Sequence, residues 1–362
     1  MKITNVEARQ YQWKRKNPII NGKHTYATCS MTALTIQTDE GIEGFAGISA
    51  INYKMDYLDY FKTLLIGENP LDTERLWQKM WVPKLVGRRG LSTRFISLID
   101  LALWDFKSKL ACLPLSKLLG GNRSVVPAYV AGGYYEDNKG LRELAAEMES
   151  YLKLGVKCVK MKVGALPLHE DAERVRVVRQ AIGENIELLV DANCAYTAYD
   201  AIRFAAMIER YRPFFFEEPV PPDDYEGMRR LAEKTCIPIA AGENELTKFG
   251  FRDLIQHGKI SILNTDACIA GGITEFMKIA AYAQAHHLDL SPHGPQEIHA
   301  HLLGAIPNAL MLEYYPPAFD DMRYKAFQNP MYLNQDGTVS VPEKPGLGTE
   351  LNFDILEPYR VY

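Results

Sequence analysis

The 362-residue chain has little of what marks several protein classes. Its six cysteines (Cys29, Cys112, Cys158, Cys194, Cys236 and Cys268) are scattered and form no C-x-x-C pair. That excludes a zinc ribbon or a dithiol redox motif and leaves them as reduced core residues. Basic residues are not in excess: 41 Lys and Arg face 45 Asp and Glu, for a net charge of −4. Nothing therefore points to a nucleic-acid partner. No apolar run is long enough to span a membrane, and the opening MKITNVEARQYQW alternates like a strand where a signal peptide would carry an apolar core. A cytoplasmic protein with no membrane partner is expected. Low-complexity tracts and long linkers are also missing. What is present is an ordinary globular profile, 47% hydrophobic and 24% charged, with material for a large core. The length suits two domains, or one barrel with an addition.

Residues 1–50 read as a β-meander, with strands at Lys2–Tyr11, Met31–Thr38 and Ile42–Gly47 and a turn at Asp39-Glu40-Gly41. Helical periodicity follows at Met55–Leu65, Leu71–Trp81 and Arg94–Leu110, the last ending before Pro114. From about Val126 the texture changes. Eight short β-branched or aromatic runs alternate with amphipathic helices at a pitch near 25 residues, which predicts a parallel barrel rather than an open sheet. After Tyr315 the chain becomes rich in proline and glycine. The expected division is a first domain over 1–125, a barrel over 126–318, and a segment over 319–362 that returns to the first domain.

In a parallel barrel the chemistry gathers where strands stop. The second barrel strand ends in Lys160 and Lys162. Their two-residue spacing puts both ammonium groups on one side, where mutual repulsion would lower a pKa and create a base. The third, fourth and fifth strands end in Asp191-Ala192-Asn193, Glu217-Glu218-Pro219 and Gly242-Glu243-Asn244. Asp191, Glu217 and Glu243 are spaced one strand-helix unit apart, so three carboxylates converge on one rim. Their repulsion calls for a hard divalent cation, and all-oxygen ligation suits Mg²⁺. Acidic residues also cap helix N-termini, but the matched spacing in phase with the strands favours the metal. Asp266 ends the sixth strand and His293 the seventh, so an aspartate can fix the tautomer of an imidazole and raise its basicity. His299 and His301, on the following helix, read as structural or surface residues. The assembly is one Mg²⁺ with a base on either side, suited to removing a proton from the carbon next to a carboxylate and holding the resulting enediolate.

These residues together resemble the mandelate racemase subgroup of the enolase superfamily, nearly end to end. The likeness runs through LIDLALWDFKSKL and PLSKLLGG, K-M-K at Lys160 and Lys162, V-D-A-N at Asp191 and Asn193, and E-E-P at Glu217. It continues through G-E-N at Glu243, Asp266 with A-G-G-I-T, S-P-H at His293 and L-E at Glu313. The resemblance implies a modified TIM barrel, (β/α)₇β, under an α+β capping domain built from both chain ends. It implies one Mg²⁺ per subunit on Asp191, Glu217 and Glu243. Lys162 is then one base, tuned by Lys160, which also touches the substrate carboxylate. His293 with Asp266 is the opposing base or acid. Glu313, if protonated, donates to the substrate carboxylate, and Asn193 contacts a substrate oxygen. A homo-oligomer, dimer or octamer, is implied on the same ground.

Such machinery supports several outcomes. Proton return by His293 gives a racemate or epimer; protonation of a leaving β-hydroxyl gives a 2-keto-3-deoxy acid; lactone cycloisomerases share the same groups. The cap loops expected to decide are Trp13–Cys29 and Gly47–Tyr60, with Lys84, Arg88 and Arg89 nearby. They are polar and basic, with His24, Tyr26, Tyr53, Lys54 and Arg89 as expected substrate contacts. They suit a polyhydroxylated acid, so dehydration of an aldonate or aldarate is the leading expectation. A Schiff-base aldolase using a strand-end lysine is the runner-up from another class. A purely binding role has no feature in its favour.

Overall fold

The computed structural model describes residues 1–49 and 56–362. Three antiparallel strands open the chain: β1 (Ile3–Ile20), β2 (Thr25–Thr38) and β3 (Glu43–Ser49). The first two are far longer than the hydrophobic alternation indicated. The polar stretch read as a loop between Trp13 and Cys29 is largely an extension of the hairpin. Its register runs Trp13↔Cys29 and Lys14↔Thr28, shifts at a bulge, and resumes at Ile19↔Tyr26. Alternation was lost there because both faces of the extension lie outside the apolar core, while backbone pairing continues without it.

The hairpin tip docks on the barrel. Ile20 and Tyr135 exchange two backbone hydrogen bonds of 2.9 Å. A Cβ on Gly22 would fall 2.4 Å from the Ala192 carbonyl oxygen and 3.0 Å from that of Val163, so only glycine permits this approach.

Eight parallel strands curl into the barrel: β4 (Val125–Gly132), β5 (Cys158–Lys162), β6 (Glu187–Asp191), β7 (Phe215–Glu217), β8 (Ile239–Ala241), β9 (Ile262–Leu263), β10 (Asp289–Leu290) and β11 (Leu312–Tyr314). They are laddered in the order β10-β9-β8-β7-β6-β5-β4-β11, and Leu290 bridges to Ala309 just ahead of β11. Helices follow each of the first seven, which gives (β/α)₇β. The protein is thus an α/β modified TIM barrel with an α+β cap. A last strand, β12 (Thr338–Ser340), pairs antiparallel with β4, so this part of the C-terminal segment stays on the barrel. Phe327, Leu351 and Leu356 instead pack with Tyr11, Trp13 and Met31 of the cap hairpin.

The helix Leu91–Leu110 ties cap to barrel. It is apolar on most of its circumference because it is covered on two sides, by β3 and by the helices Ala267–Ala270 and Gly272–Ala285. Its two aspartates are buried connectors. Asp105 accepts from the backbone N–H of Phe45 and of Leu347, both at 2.8 Å. Asp100 accepts from the N–H of Thr274 at 2.9 Å and from the Thr274 hydroxyl at 2.6 Å.

Burial, with the nearby Glu275, pushes the Asp100 carboxyl up to about 7 against the pull of the Thr274 hydrogen bonds. A carboxyl raised above its unfolded value stabilises the fold below about pH 4 and loses that contribution as pH climbs through 7. Urea unfolding of wild type should therefore show a decline of a few kcal/mol (order of magnitude) between pH 4 and 8. The decline should be smaller in Asp100→Asn, and equal slopes in the two proteins would refute the assignment.

Candidate active site

The site is set by strand register. Lys162 pairs with Asp191, and Asp191 with Glu217, across β5, β6 and β7, so these three stand side by side at the strand ends. Glu243 follows β8 after Gly242, whose φ of +134° is a turn that other residues rarely adopt. Asn193, Cys194 and Glu218 also hold positive φ (42°, 62° and 40°) just past their strands, a sign of backbone constrained at a site.

The carboxylates of Asp191, Glu217 and Glu243 each bring an oxygen within 4.8 Å of the others. Asp191 and Glu217 are fully buried. Lys160 Nζ lies 2.9 Å from Glu217 Oε2, 2.7 Å from Glu313 Oε1 and 3.5 Å from Asp191 Oδ2, and Lys162 Nζ pairs with Asp191 Oδ2. Glu217 Oε1 and Glu243 Oε2 are buried and accept no hydrogen bond. Burial pushes the Glu217 carboxyl up to about 8 despite Lys160, and Asp191 and Glu243 add to the rise. Orphaned acceptors and under-neutralised acids, all hard oxygen donors, fit a divalent cation such as Mg²⁺.

One expectation needs correction here. The lysines do not have lowered pKa values. Burial lowers the Lys162 ammonium, but Asp191 more than reverses this, and Lys160 is raised well above its ordinary value by Glu217 and Glu313 against the same burial. Sequence spacing showed the repulsion between the two cations but not the acids that surround them. The charges around Glu313 also disfavour the protonated form on which its donor role depends. Burial favours the acid form, but Lys160, His293 and Lys162 pull its carboxyl down to about 2.

His293 Nδ1 lies 3.0 Å from Asp266 Oδ2, and its Nε2 is 3.9 Å from Glu243 Oε2. Burial opposes the imidazolium, while Glu243 and Asp266 push its pKa up to about 10. Asp266 also accepts from the N–H of Cys268 at 2.7 Å, which fixes the carboxylate behind the ring. His299 and His301 are buried, not on the surface. His299 Nε2 accepts from Ala267 N–H at 3.0 Å and its Nδ1 faces Pro295 O, so it braces the Asp266 turn. His301 links Ser116 N–H to Leu347 O.

A cavity of about 680 Å³ opens between these strand ends and the cap. Lys162, Asn193, Glu243 and His293 line its barrel end, with Lys160, Asp191, Glu217 and Asp266 buried behind them; His24 and Tyr26 line it from the hairpin. Asn21 shapes the tip, accepting from the N–H of Lys23 and His24 and donating to the Tyr26 hydroxyl at 3.2 Å. Asn193 Nδ2 is 3.4 Å from Glu243 Oε1, and its own Oδ1 is a buried acceptor without a partner. Arg89 does not reach the cavity; it is held by Glu245 at 3.5 Å and Asp253 at 3.3 Å. Tyr53 and Lys54 lie outside the described residues. Sequence reasoning missed Tyr134, whose ring is 5.2 Å from Lys162 Nζ, and the cavity-lining Arg94 and Arg323. Arg94 was read only as the start of a helix, and Arg323 sits in irregular chain with no periodicity to mark it.

Known proteins match this geometry. Residues 143–355 match the family described as enolase C-terminal domain-like, and residues 3–120 match the mandelate racemase / muconate lactonizing enzyme N-terminal domain. The chain is 35% identical to an arabinonate dehydratase of Saccharolobus solfataricus, over 91% of this chain and 90% of that one. It is 36% identical to a 3,6-anhydro-alpha-L-galactonate cycloisomerase of Streptomyces coelicolor, over 81% and 79%. The crystal structure of L-talarate dehydratase from Polaromonas sp. JS666, complexed with Mg and L-glucarate, superposes with a TM-score of 0.90. It shares 31% identity and is covered to 98%, against 100% of this chain. With both family matches spanning cap and barrel, the chain belongs to the mandelate racemase / muconate lactonizing enzyme family within the enolase superfamily.

Proposed function

We propose that the protein is a Mg²⁺-dependent acid-sugar dehydratase that removes the α-proton of a sugar acid and expels its β-hydroxyl to give a 2-keto-3-deoxy acid. The observation that carries this is the joint exposure of Lys162 and His293 to one polar cavity beside the carboxylate cluster. A magnesium ion held by Asp191, Glu217 and Glu243 would supply positive charge toward the substrate carboxylate and the developing enediolate, and would compete with Lys162 for Asp191.

The chain's own residues do the rest. Lys162, which becomes a base only once a bound cation draws Asp191 away from its ammonium and that proton passes to solvent, accepts the α-proton, and the buried Lys160 keeps a fixed cation beneath the substrate carboxylate. His293, oriented by Asp266, delivers a proton to the departing hydroxyl. Asn193 offers an amide to a substrate oxygen. Glu313, held ionised, keeps Lys160 charged and in place. The docked hairpin closes the cavity with His24 and Tyr26.

A second reading is cycloisomerisation, favoured by the cycloisomerase among the relatives. Both predict α-proton chemistry and differ in the product. Purified protein with Mg²⁺ should be offered a panel of aldonates, aldarates and their lactones in deuterium oxide. Formation of a 2-keto acid with one stereoisomer supports dehydration. Ring opening or α-deuterium exchange with no keto acid would replace it with isomerisation. A borohydride-trapped lysine adduct, with activity surviving chelator, would replace both with imine chemistry.

A further inference from the structure

The cavity also carries cationic groups that the proton chemistry does not use. Arg15 of the hairpin, Arg94 at the start of the helix Leu91–Leu110, and Arg323 from beyond β11 all line it. Arg94 makes no hydrogen bond or ion pair among the described residues. Arg15 has no carboxylate partner there either; it lies 4.8 Å over the Phe319 ring and 3.5 Å from the Phe319 carbonyl oxygen. Its Nε is buried with no acceptor. Arg323 is paired with Glu297 at 3.2 Å.

Burial and Asp266 raise the Cys268 thiol while Arg94 and Arg323 both work against them. Burial and Asp320 push the Cys29 thiol up to about 12 while Arg15 and Arg323 oppose. Both thiols thus feel the charge of these cavity-lining arginines. The nearby acid, Asp320, already accepts from Trp13 Nε1 at 3.2 Å and from the N–H of Arg323. Two guanidiniums that line the cavity, those of Arg94 and Arg15, thus have no carboxylate within ion-pair distance among the described residues. Partly desolvated arginine without a carboxylate is costly unless an anion completes it, and its fork suits a carboxylate or phosphate.

We infer that Arg94 and Arg15 bind an anionic group at the end of the substrate remote from the reacting carboxylate. Resting on the sugar-acid reading above, this narrows the substrate to acids with a charged far terminus: an aldarate, or an aldonate carrying a terminal phosphate.

The test compares three compounds of matched configuration with Mg²⁺: an aldonate, the corresponding aldarate and the terminally phosphorylated aldonate. One or both anion-ended acids should exceed the aldonate in kcat/KM by about 10-fold to 100-fold, and which of them reacts identifies the terminus. In Arg94→Met, KM for the preferred acid should rise by a similar factor with kcat nearly kept, while the aldonate is unaffected. Arg94→Lys, which keeps the charge, should recover part of the loss and controls for folding, as does the melting temperature of both variants. An aldonate turned over as well as or better than both anion-ended acids overturns this inference alone. So does an Arg94→Met variant that loses kcat equally on all three. Absence of α-proton exchange with every sugar acid would overturn the dehydratase reading and this inference with it.

Discussion

Lys162→Ala is expected to lower kcat by roughly 10²-fold to 10⁴-fold, the range for loss of a positioned general base. Exchange of the α-proton should be lost with it. Lys162 is buried, ends β5 in register with Asp191, and faces the cavity beneath Tyr134. No other lysine reaches that wall among the described residues lining the cavity except Lys23, which is on the exposed hairpin tip. The variant also strands Asp191, because removing one partner of a buried pair leaves an uncompensated charge, which costs about 3–5 kcal/mol in general. Lower stability alone would therefore say nothing about catalysis. The discriminating companion is His293→Asn. If Lys162 takes the proton and His293 serves the leaving hydroxyl, that variant should still exchange the α-proton while forming no keto acid. Loss of exchange in His293→Asn with survival in Lys162→Ala would reverse the two roles.

Much of this arrangement was legible in the sequence, and the reason is periodicity. Asp191, Glu217 and Glu243 stand 26 residues apart because one strand-helix unit has that length, and a barrel converts equal spacing along the chain into adjacency on one rim. Lys160 and Lys162 were placed on one face by the strand period, and Asp266 with His293 by the adjacency of successive strands. The cap resisted for the complementary reason. Its hairpin extends by backbone pairing over residues that bury no regular apolar face, so Trp13–Cys29 looked like loop. Arg89 and Arg94 are five residues apart and similar in kind, yet one is tied up by Glu245 and Asp253 and the other faces the cavity. Nothing local separates them; the difference lies in which barrel helix each meets. Electrostatic sign was also hidden. The lysine pair suggested depressed pKa values, and only the packed structure shows that carboxylates dominate their surroundings.

Removal of divalent metal is expected to abolish turnover, and the expectation follows from the charges rather than from the relatives. Lys160 and Lys162 are shared among Asp191, Glu217 and Glu313, while Glu243 has, among the described residues, no closer ion-pair partner than His293 Nε2 at 3.9 Å. The buried acceptors Glu217 Oε1 and Glu243 Oε2 remain open, and Glu217 is pushed up to about 8 by burial and like charge. A cation that binds this cluster in the folded state but not in the unfolded chain must stabilise the fold, by about 2.7 kcal/mol at a hundredfold excess over its Kd. Mg²⁺ should therefore raise the melting temperature of wild-type protein, and chelator should reverse the rise together with activity. Glu217→Gln removes one anionic ligand and relieves the repulsion at once. It should melt at least as high as wild type without metal, gain less on adding Mg²⁺, and lose at least about 10³-fold in kcat, consistent with several kcal/mol of charge stabilisation in the transition state. The opposed signs matter: a variant that was merely misfolded would lose stability and activity together. Wild-type protein that melts at the same temperature with and without Mg²⁺, takes up none by calorimetry, and keeps its activity in chelator would show that the three carboxylates serve some purpose other than holding a metal.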